Sequence, residues 1–209
     1  MSKRNQLPAL MVSLAITGAL VAGGGWLIKE TFFSEGASFL PTSSEPDGMM
    51  QGADGSSGKS VLPGEASEAK QQGLDAMATG DLASAKVAFT QALQENRNDP
   101  ESLIYLNNAK IGSNAAYTIA LSVPTSKFTN PSLEIMRGVA QAQETINQSV
   151  GVNGTPLKVL LLNDQGDLEK AKEVANSLVE NPDVLGVIGH YASDTTLVTA
   201  DVYETGKLP

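Results

Sequence analysis

Cysteine is absent from the 209 residues, and histidine and tryptophan occur once each. Without cysteine there can be no disulfide scaffold, thiolate zinc site or cysteine nucleophile. The compartment stays open, because exported proteins also manage without disulfides. A single histidine excludes any multi-histidine metal site within the chain. Positive charge is scarce too: 14 Lys and Arg against 23 Asp and Glu leave a net charge of −9. Nucleic-acid binding needs clustered basic residues to neutralise phosphates, so no nucleic-acid partner is expected. No G-x-G-x-x-G follows the first strand-like run, and neither G-x-x-x-x-G-K-[ST] nor G-x-S-x-G occurs. Dinucleotide binding, nucleotide-triphosphate binding and a hydrolase nucleophile elbow therefore lack their motifs. No cofactor is expected, and most hydrolytic chemistry is disfavoured.

The amino terminus carries a strong signal. Lys3 and Arg4 precede an uncharged stretch, and from Leu7 to Ile28 it reads LPALMVSLAITGALVAGGGWLI before Lys29. That run is long enough to span a hydrocarbon core of roughly 30 Å. The basic residues before it favour an inside amino terminus, so the remainder is expected outside the cytoplasm, with Trp26 at the outer interface. A cleaved signal peptide is the rival, although VAGGG is a poor cleavage site. A buried core helix is weaker still, since three consecutive glycines oppose it. Residues 1–29 are thus expected to be a single-pass anchor. Residues 30–64, dominated by Gly, Ser, Pro and Asp without a period of 2 or 3.6, are expected to form a flexible linker.

Residues 65–112 carry helical spacing. Ala66, Ala69, Gly73, Ala76 and Met77, then Leu82, Ala85, Phe89, Ala92 and Leu93, recur at i, i+3, i+4 and i+7. Gly80 reads as a helix stop and Asp81 as the next N-cap. Pro100 suits the first turn of a third helix ending near Ile111. Gly73, Ala85, Phe89 and Ala92 stand at the spacing of a tetratricopeptide repeat, with Pro100 in the inter-repeat turn, so the segment resembles one such repeat plus a helix. One repeat cannot bury its own apolar face and must lean on a neighbour. A spacer packed on the rest of the chain is favoured over a partner-binding groove.

From residue 115 the pattern changes again. Tyr117–Val123 (YTIALSV), Leu157–Leu162 (LKVLLL) and Val184–Ile188 (VLGVI) are apolar runs without alternation. Each is followed by an amphipathic stretch, opened by Asn130-Pro131-Ser132, by Asp167 and by Ser193. Such strands with crossover helices imply a parallel sheet, a partial doubly wound βαβαβα unit of class α/β. Thr205 to Pro209 reads as a helix exit and the first step into a fourth strand. Three strands with half their helices leave one sheet edge open, so the sequence is expected to be a fragment.

Ligands of open parallel sheets bind beyond the carboxyl ends of the strands. Three loops qualify: Pro124–Pro131, Asn163–Asp167 and Gly189–Asp194. In the third, Ser193 is placed as an N-cap, where free N–H groups and a hydroxyl attract carboxylate or phosphate. The plainer reading is that Ser193 caps its own helix. Asp164 and His190 end what read as neighbouring strands and suggest an acid–base pair, but no nucleophile accompanies them. A strand-end histidine bonded to a loop is the preferred reading.

The stretch VLGVIGHYASDTTLVTADVYETGKLP resembles the third strand–loop–helix unit of the type I periplasmic binding proteins, the Leu/Ile/Val-binding group of ABC transporters. IALSVPTS, GVAQAQETIN and GTPLKVLLLNDQGDLEKAKEVANSLVEN fit the units before it, so the resemblance covers Ala116 to Pro209. It is specific at the IGH-x-x-S step. The resemblance implies that Ser193 holds a ligand α-carboxylate with nearby backbone amides, that Tyr191 and Ala192 line the cleft, that Thr195 sits in the same turn, and that Ser126 and Lys127 lie in a loop over the ligand. Two departures stand out: PTSKFTNPS lacks flanking glycines, and Tyr191 is bulkier than an aliphatic pocket suggests.

The function these readings imply is a membrane-tethered, extracytoplasmic (periplasmic) substrate-binding protein, not an enzyme. It would capture an amino acid or other small carboxylate between two lobes and present it to an ABC permease. A membrane-anchored ligand sensor, or a scaffold working through the repeat, is the alternative.

Overall fold

The computed structural model describes residues 59–209, so the expected anchor and most of the expected linker lie outside the described residues. Among the described residues, no helix is long and apolar enough to cross a membrane.

Three helices come first: α1 Glu68–Ala78, α2 Leu82–Glu95 and α3 Pro100–Ile111. Short polar side chains start each one. Ser67 accepts from Lys70 N, Asp81 from Ser84 N, and Asp99 from Glu101 N and Ser102 N. Gly80 turns between α1 and α2 at φ +74°, a conformation glycine adopts without penalty. The two helices meet so closely that a Cβ on Gly73 would stand 2.7 Å from the Phe89 ring. Phe89 in turn stacks on Tyr105 of α3, ring centroids 5.7 Å apart. Behind them Lys70 is buried between two carboxylates, 2.7 Å from Glu101 and 3.0 Å from Asp99. Burial pulls the Lys70 pKa down, but the two carboxylates outweigh it and hold the ammonium above its usual range.

The sheet follows, with β1 Tyr117–Val123, α4 Thr129–Gln148, β2 Leu157–Asn163, α5 Leu168–Val179, β3 Val184–Ile188 and α6 Ser193–Gly206. All pairings are parallel in the order β2-β1-β3. Tyr117 pairs with Leu157 and Val123 with Asn163, so β1 and β2 end level. Side chains alternate across the sheet. Leu121, Val123, Val159 and Leu161 face Met136 and Ala140 of α4, and share one core with Leu74, Phe89, Ile104 and Tyr105 of the first three helices. Ala120, Leu160 and Leu162 face the opposite way, onto Val174 and Leu178 of α5, with Tyr203 of α6 beside them. The first three helices thus lie on one face of the sheet with α4, while α5 and α6 cover the other.

Two sheet edges are treated differently. Along β2, side-chain amides stand where a neighbouring strand would. Asn108 accepts from Val159 N and donates to Val159 O, and Asn147 does the same for Leu157. These bonds satisfy edge groups that would otherwise be orphaned. β3 is less covered than the apolar run suggests: Leu185 and Ile188 remain exposed. On that side Val187 N donates to Pro209 O at 2.7 Å.

Candidate functional site

The carboxyl ends of the strands converge on three short loops, before α4, before α5 and before α6. Each loop is tied to the next by a side chain. Asn163, the last residue of β2, accepts from the backbone N–H groups of Thr125 and Gln165 and donates to Ser126 Oγ at 2.9 Å. Lys127 donates to Gly166 O at 3.1 Å and lies over the Phe128 ring. It therefore bridges the first and second loops. Phe128 meets Tyr191 of the third loop, centroids 5.5 Å apart.

Beneath these loops lies a buried polar network. His190 Nδ1 stands 2.6 Å from Asp164 Oδ2, and Ser122 Oγ donates to the same carboxylate oxygen at 3.1 Å. Gly166 N donates to Asp164 Oδ1, and His190 Nε2 reaches Tyr203 Oη at 2.9 Å. With Nδ1–H donating to the carboxylate, Nε2 accepts from the tyrosine hydroxyl. Burial raises the Asp164 pKa, but the bonds from His190, Gly166 and Ser122 outweigh it and hold the carboxyl below its usual range. Burial, and the Asp164 charge beside it, push the Tyr203 phenol up.

The expectation that Asp164 and His190 end neighbouring strands is corrected. β1 lies between β2 and β3, so the pair closes across the end of β1, over Ser122. The meeting needs Gly189, because a Cβ there would stand 2.4 Å from Ser122 O. Ser, His and Asp are together, but not wired as a nucleophilic triad. A triad needs the serine and the carboxylate on opposite ring nitrogens; here both address Nδ1, at 3.3 and 2.6 Å, and Nε2 is occupied by Tyr203.

The placement of Ser193 as N-cap is also corrected. Ala192 is the N-cap of α6, in extended conformation, and its carbonyl already accepts from Thr196 N. Ser193 is therefore the first helical residue. It is exposed, and its hydroxyl makes no hydrogen bond among the described residues. Thr195 is 2% exposed; its hydroxyl donates to Ala192 O and its N–H to Asp194 Oδ1. Tyr191 is 47% exposed and Ala192 half-buried. Ser126 is exposed in the first loop. The structure joins Ser126 to the second loop through Asn163, and Tyr191 to the first loop through Phe128.

Four of the six described helices begin with a side-chain cap. The two that do not, α4 and α6, are those that leave β1 and β3 toward this loop cluster. Neither N-cap residue supplies a side-chain oxygen, although in α6 the Asp194 carboxylate already takes the Thr195 N–H at 2.9 Å.

The family model described as periplasmic binding protein matches residues 116–209. That segment is a partial lobe of the type I periplasmic-binding-protein kind. Among curated proteins, the amino acid binding protein of Pseudomonas aeruginosa is 37% identical over 68 residues, 32% of this chain and 18% of that protein. The leucine-, isoleucine-, valine-, threonine- and alanine-binding protein of the same organism is 40% identical over 67 residues, again 32% and 18%. The Leu/Ile/Val-binding protein of Escherichia coli K12 is 33% identical over 85 residues, 41% and 22%. The chain thus spans about a fifth of the length of the relatives it matches. Similar solved structures include an ABC transporter substrate-binding protein from Desulfitobacterium hafniense in complex with Leu, at 25% identity, 44% of this chain, 27% of that chain and a TM-score of 0.39. Another is a putative branched-chain amino acid ABC transporter from Rhodospirillum rubrum, at 23% identity, 45% and 28% coverage and a TM-score of 0.42.

Three groups escaped the sequence reading. Asn163 heads the second candidate loop, but its bonds to Thr125 and Ser126, 38 and 37 positions away, leave no mark in local spacing. Phe128 was hidden because α4 begins at Thr129 and not at Asn130. Tyr203 lies 13 positions beyond His190 on another element, and no local spacing connects them.

Proposed function

We propose that the protein is an extracytoplasmic substrate-binding protein of an ABC transporter, whose described lobe holds the carboxylate of an amino acid at the start of α6. The observation that carries this reading is the pair of helix N-termini without a side-chain N-cap, α4 and α6, at one cluster of loops, with the Ser193 hydroxyl exposed and unbonded among the described residues. A carboxylate set against Ser193 would accept from that hydroxyl and from the N–H groups of Ser193 and Asp194, the Thr195 N–H being taken by Asp194 Oδ1. Ser126 already accepts from Asn163, which leaves its own O–H to donate toward a ligand. Tyr191 and Ala192 would form the wall beside them, and Thr195, tied to Ala192 O, would hold the turn in shape.

The curated relatives named for amino acids support the ligand class. The reading is of binding without catalysis, and no cofactor enters it. Delivery to a membrane permease and closure of a second lobe over the ligand follow from the resemblance. Residues 1–29 would anchor the protein on the outer side of the membrane through the linker that follows. The first three helices, the tetratricopeptide-like segment, would serve as a spacer packed on the lobe.

Titration calorimetry of the natural protein against the common amino acids tests this reading. Saturable binding of at least one of them at micromolar concentration is expected. Heats indistinguishable from dilution across the whole set would contradict it.

A further inference from the structure

Residues 60–62 fall within the stretch whose composition reads as linker, yet they are fastened at both ends. Ser60 Oγ donates to Glu101 Oε2 at 2.5 Å and Val61 N to Glu101 Oε1 at 2.7 Å. Leu62 N donates back to Ser60 Oγ, and Val61 and Leu62 pack on the main core. Glu101 is fully buried and also holds Lys70 at 2.7 Å. The other side of this strap meets the first ligand loop, because Thr125 Oγ1 donates to Val61 O.

Thr125 is itself fully buried, and every polar group it has is engaged. Its N–H reaches Asn163 Oδ1, its carbonyl accepts from Thr129 Oγ1 at 2.8 Å, and its hydroxyl holds the strap. The next residue is Ser126. One residue thus receives the strap, the second loop and the start of α4 at the base of the loop that carries Ser126.

We propose that the strap Ser60–Leu62, clamped by Glu101, positions the first ligand loop through Thr125, which acts as a positioning residue for the binding site. The ligand part rests on the amino-acid-binding reading above; the coupling of strap to loop does not. The first three helices then do more than separate lobe from membrane. Their buried Lys70–Glu101 pair sets the anchor point from which the loop is held. The bond from strap to loop and one of the two bonds from strap to Glu101 run through groups that a single substitution can remove without emptying the core, Thr125 Oγ1 and Ser60 Oγ; the Val61 N–H to Glu101 remains.

The test uses the natural protein with Thr125→Val and, separately, Ser60→Ala. Hydrogen exchange is read at Lys127 and Phe128, whose amides donate to Pro124 O within the loop, and at Lys170 and Ala171 in α5 as a control. Exchange at Lys127 and Phe128 is expected to accelerate at least about tenfold in both variants, with the α5 amides unchanged, since loop opening is local. L-Leucine affinity is expected to fall about fivefold in Thr125→Val, with the thermal midpoint moved only slightly. Unchanged exchange at the two loop amides in folded variants would overturn the coupling. Faster exchange with unchanged leucine affinity would overturn the positioning role. If the unsubstituted protein binds no leucine, the affinity is read with the common amino acid it binds best; if it binds none of them, the amino-acid reading fails by itself, and the exchange data alone decide the coupling.

Discussion

The side chain of Asn108 pairs with the backbone of Val159 as a strand would, accepting from its N–H at 3.1 Å and donating to its carbonyl at 2.8 Å. Gln143 of α4 completes the arrangement by donating to Asn108 Oδ1 at 2.8 Å and to Leu157 O at 3.1 Å. An amide on α3 thus closes the outer edge of β2, and the first three helices become part of the sheet they cover.

Asn108→Ala leaves both Val159 groups buried without partners, each at a cost of about 1–3 kcal/mol. Urea unfolding is expected to show a loss of at least about 2 kcal/mol, with the loss centred on both the helices and the sheet. Asn108→Asp keeps the acceptor for Val159 N–H and removes the donor, so it too should destabilise the fold. A stability change within about 0.5 kcal/mol for Asn108→Ala would show that the edge pairing contributes nothing.

Gly73→Ala tests the close approach of α1 and α2. The new Cβ would meet the Phe89 ring at 2.7 Å, and overpacking of this kind costs typically 1–3 kcal/mol. Phe89→Leu removes the obstacle at its own cost. In the double variant the two losses should sum to less than their separate values, because the residues are in contact. Strict additivity in denaturant melts would place the clash elsewhere.

The Asp164 network gives a pH dependence with a definite sign. Its folded carboxyl lies below the usual range, so it contributes stability that is present above the unfolded value of about 3.9 and lost as pH falls through the folded one. The thermal midpoint of the unsubstituted protein should exceed that of Asp164→Asn at neutral pH. That gap should close below about pH 4. The Lys70 cluster acts at the other end: its ammonium is held above the usual range, so its contribution is full below the unfolded value of about 10.4 and fades only in stronger alkali. A gap for Asp164→Asn that stays constant from pH 7 to pH 3 would contradict the assignment.

Much of this fold was legible because the strands are short, apolar and bounded by turn residues. Tyr117–Val123 and Val184–Ile188 were delimited from the sequence alone, and Asp81 and Asp167 cap helices by a chemistry local to one turn. What failed was non-local. That β1 separates β2 from β3 follows from crossover geometry and leaves no mark in residue spacing, so the Asp164–His190 pair was placed on adjacent strands. Ser193 was misplaced by one position because Ala192, which cannot cap with its side chain, already supplies the first helical carbonyl. Ser60–Leu62 read as linker because their partners, Glu101 and Thr125, lie 40 and 64 positions away from Val61.

The most direct test of the ligand site is the affinity of the natural protein for its best-bound amino acid, compared with that of Ser193→Ala, by titration calorimetry with thermal midpoints measured alongside. A hydrogen bond to a charged group contributes about 1.5–3 kcal/mol, so the variant should bind roughly tenfold to 150-fold more weakly while melting at the same temperature. Equal affinities in two equally stable proteins would contradict the placement of the carboxylate at the start of α6.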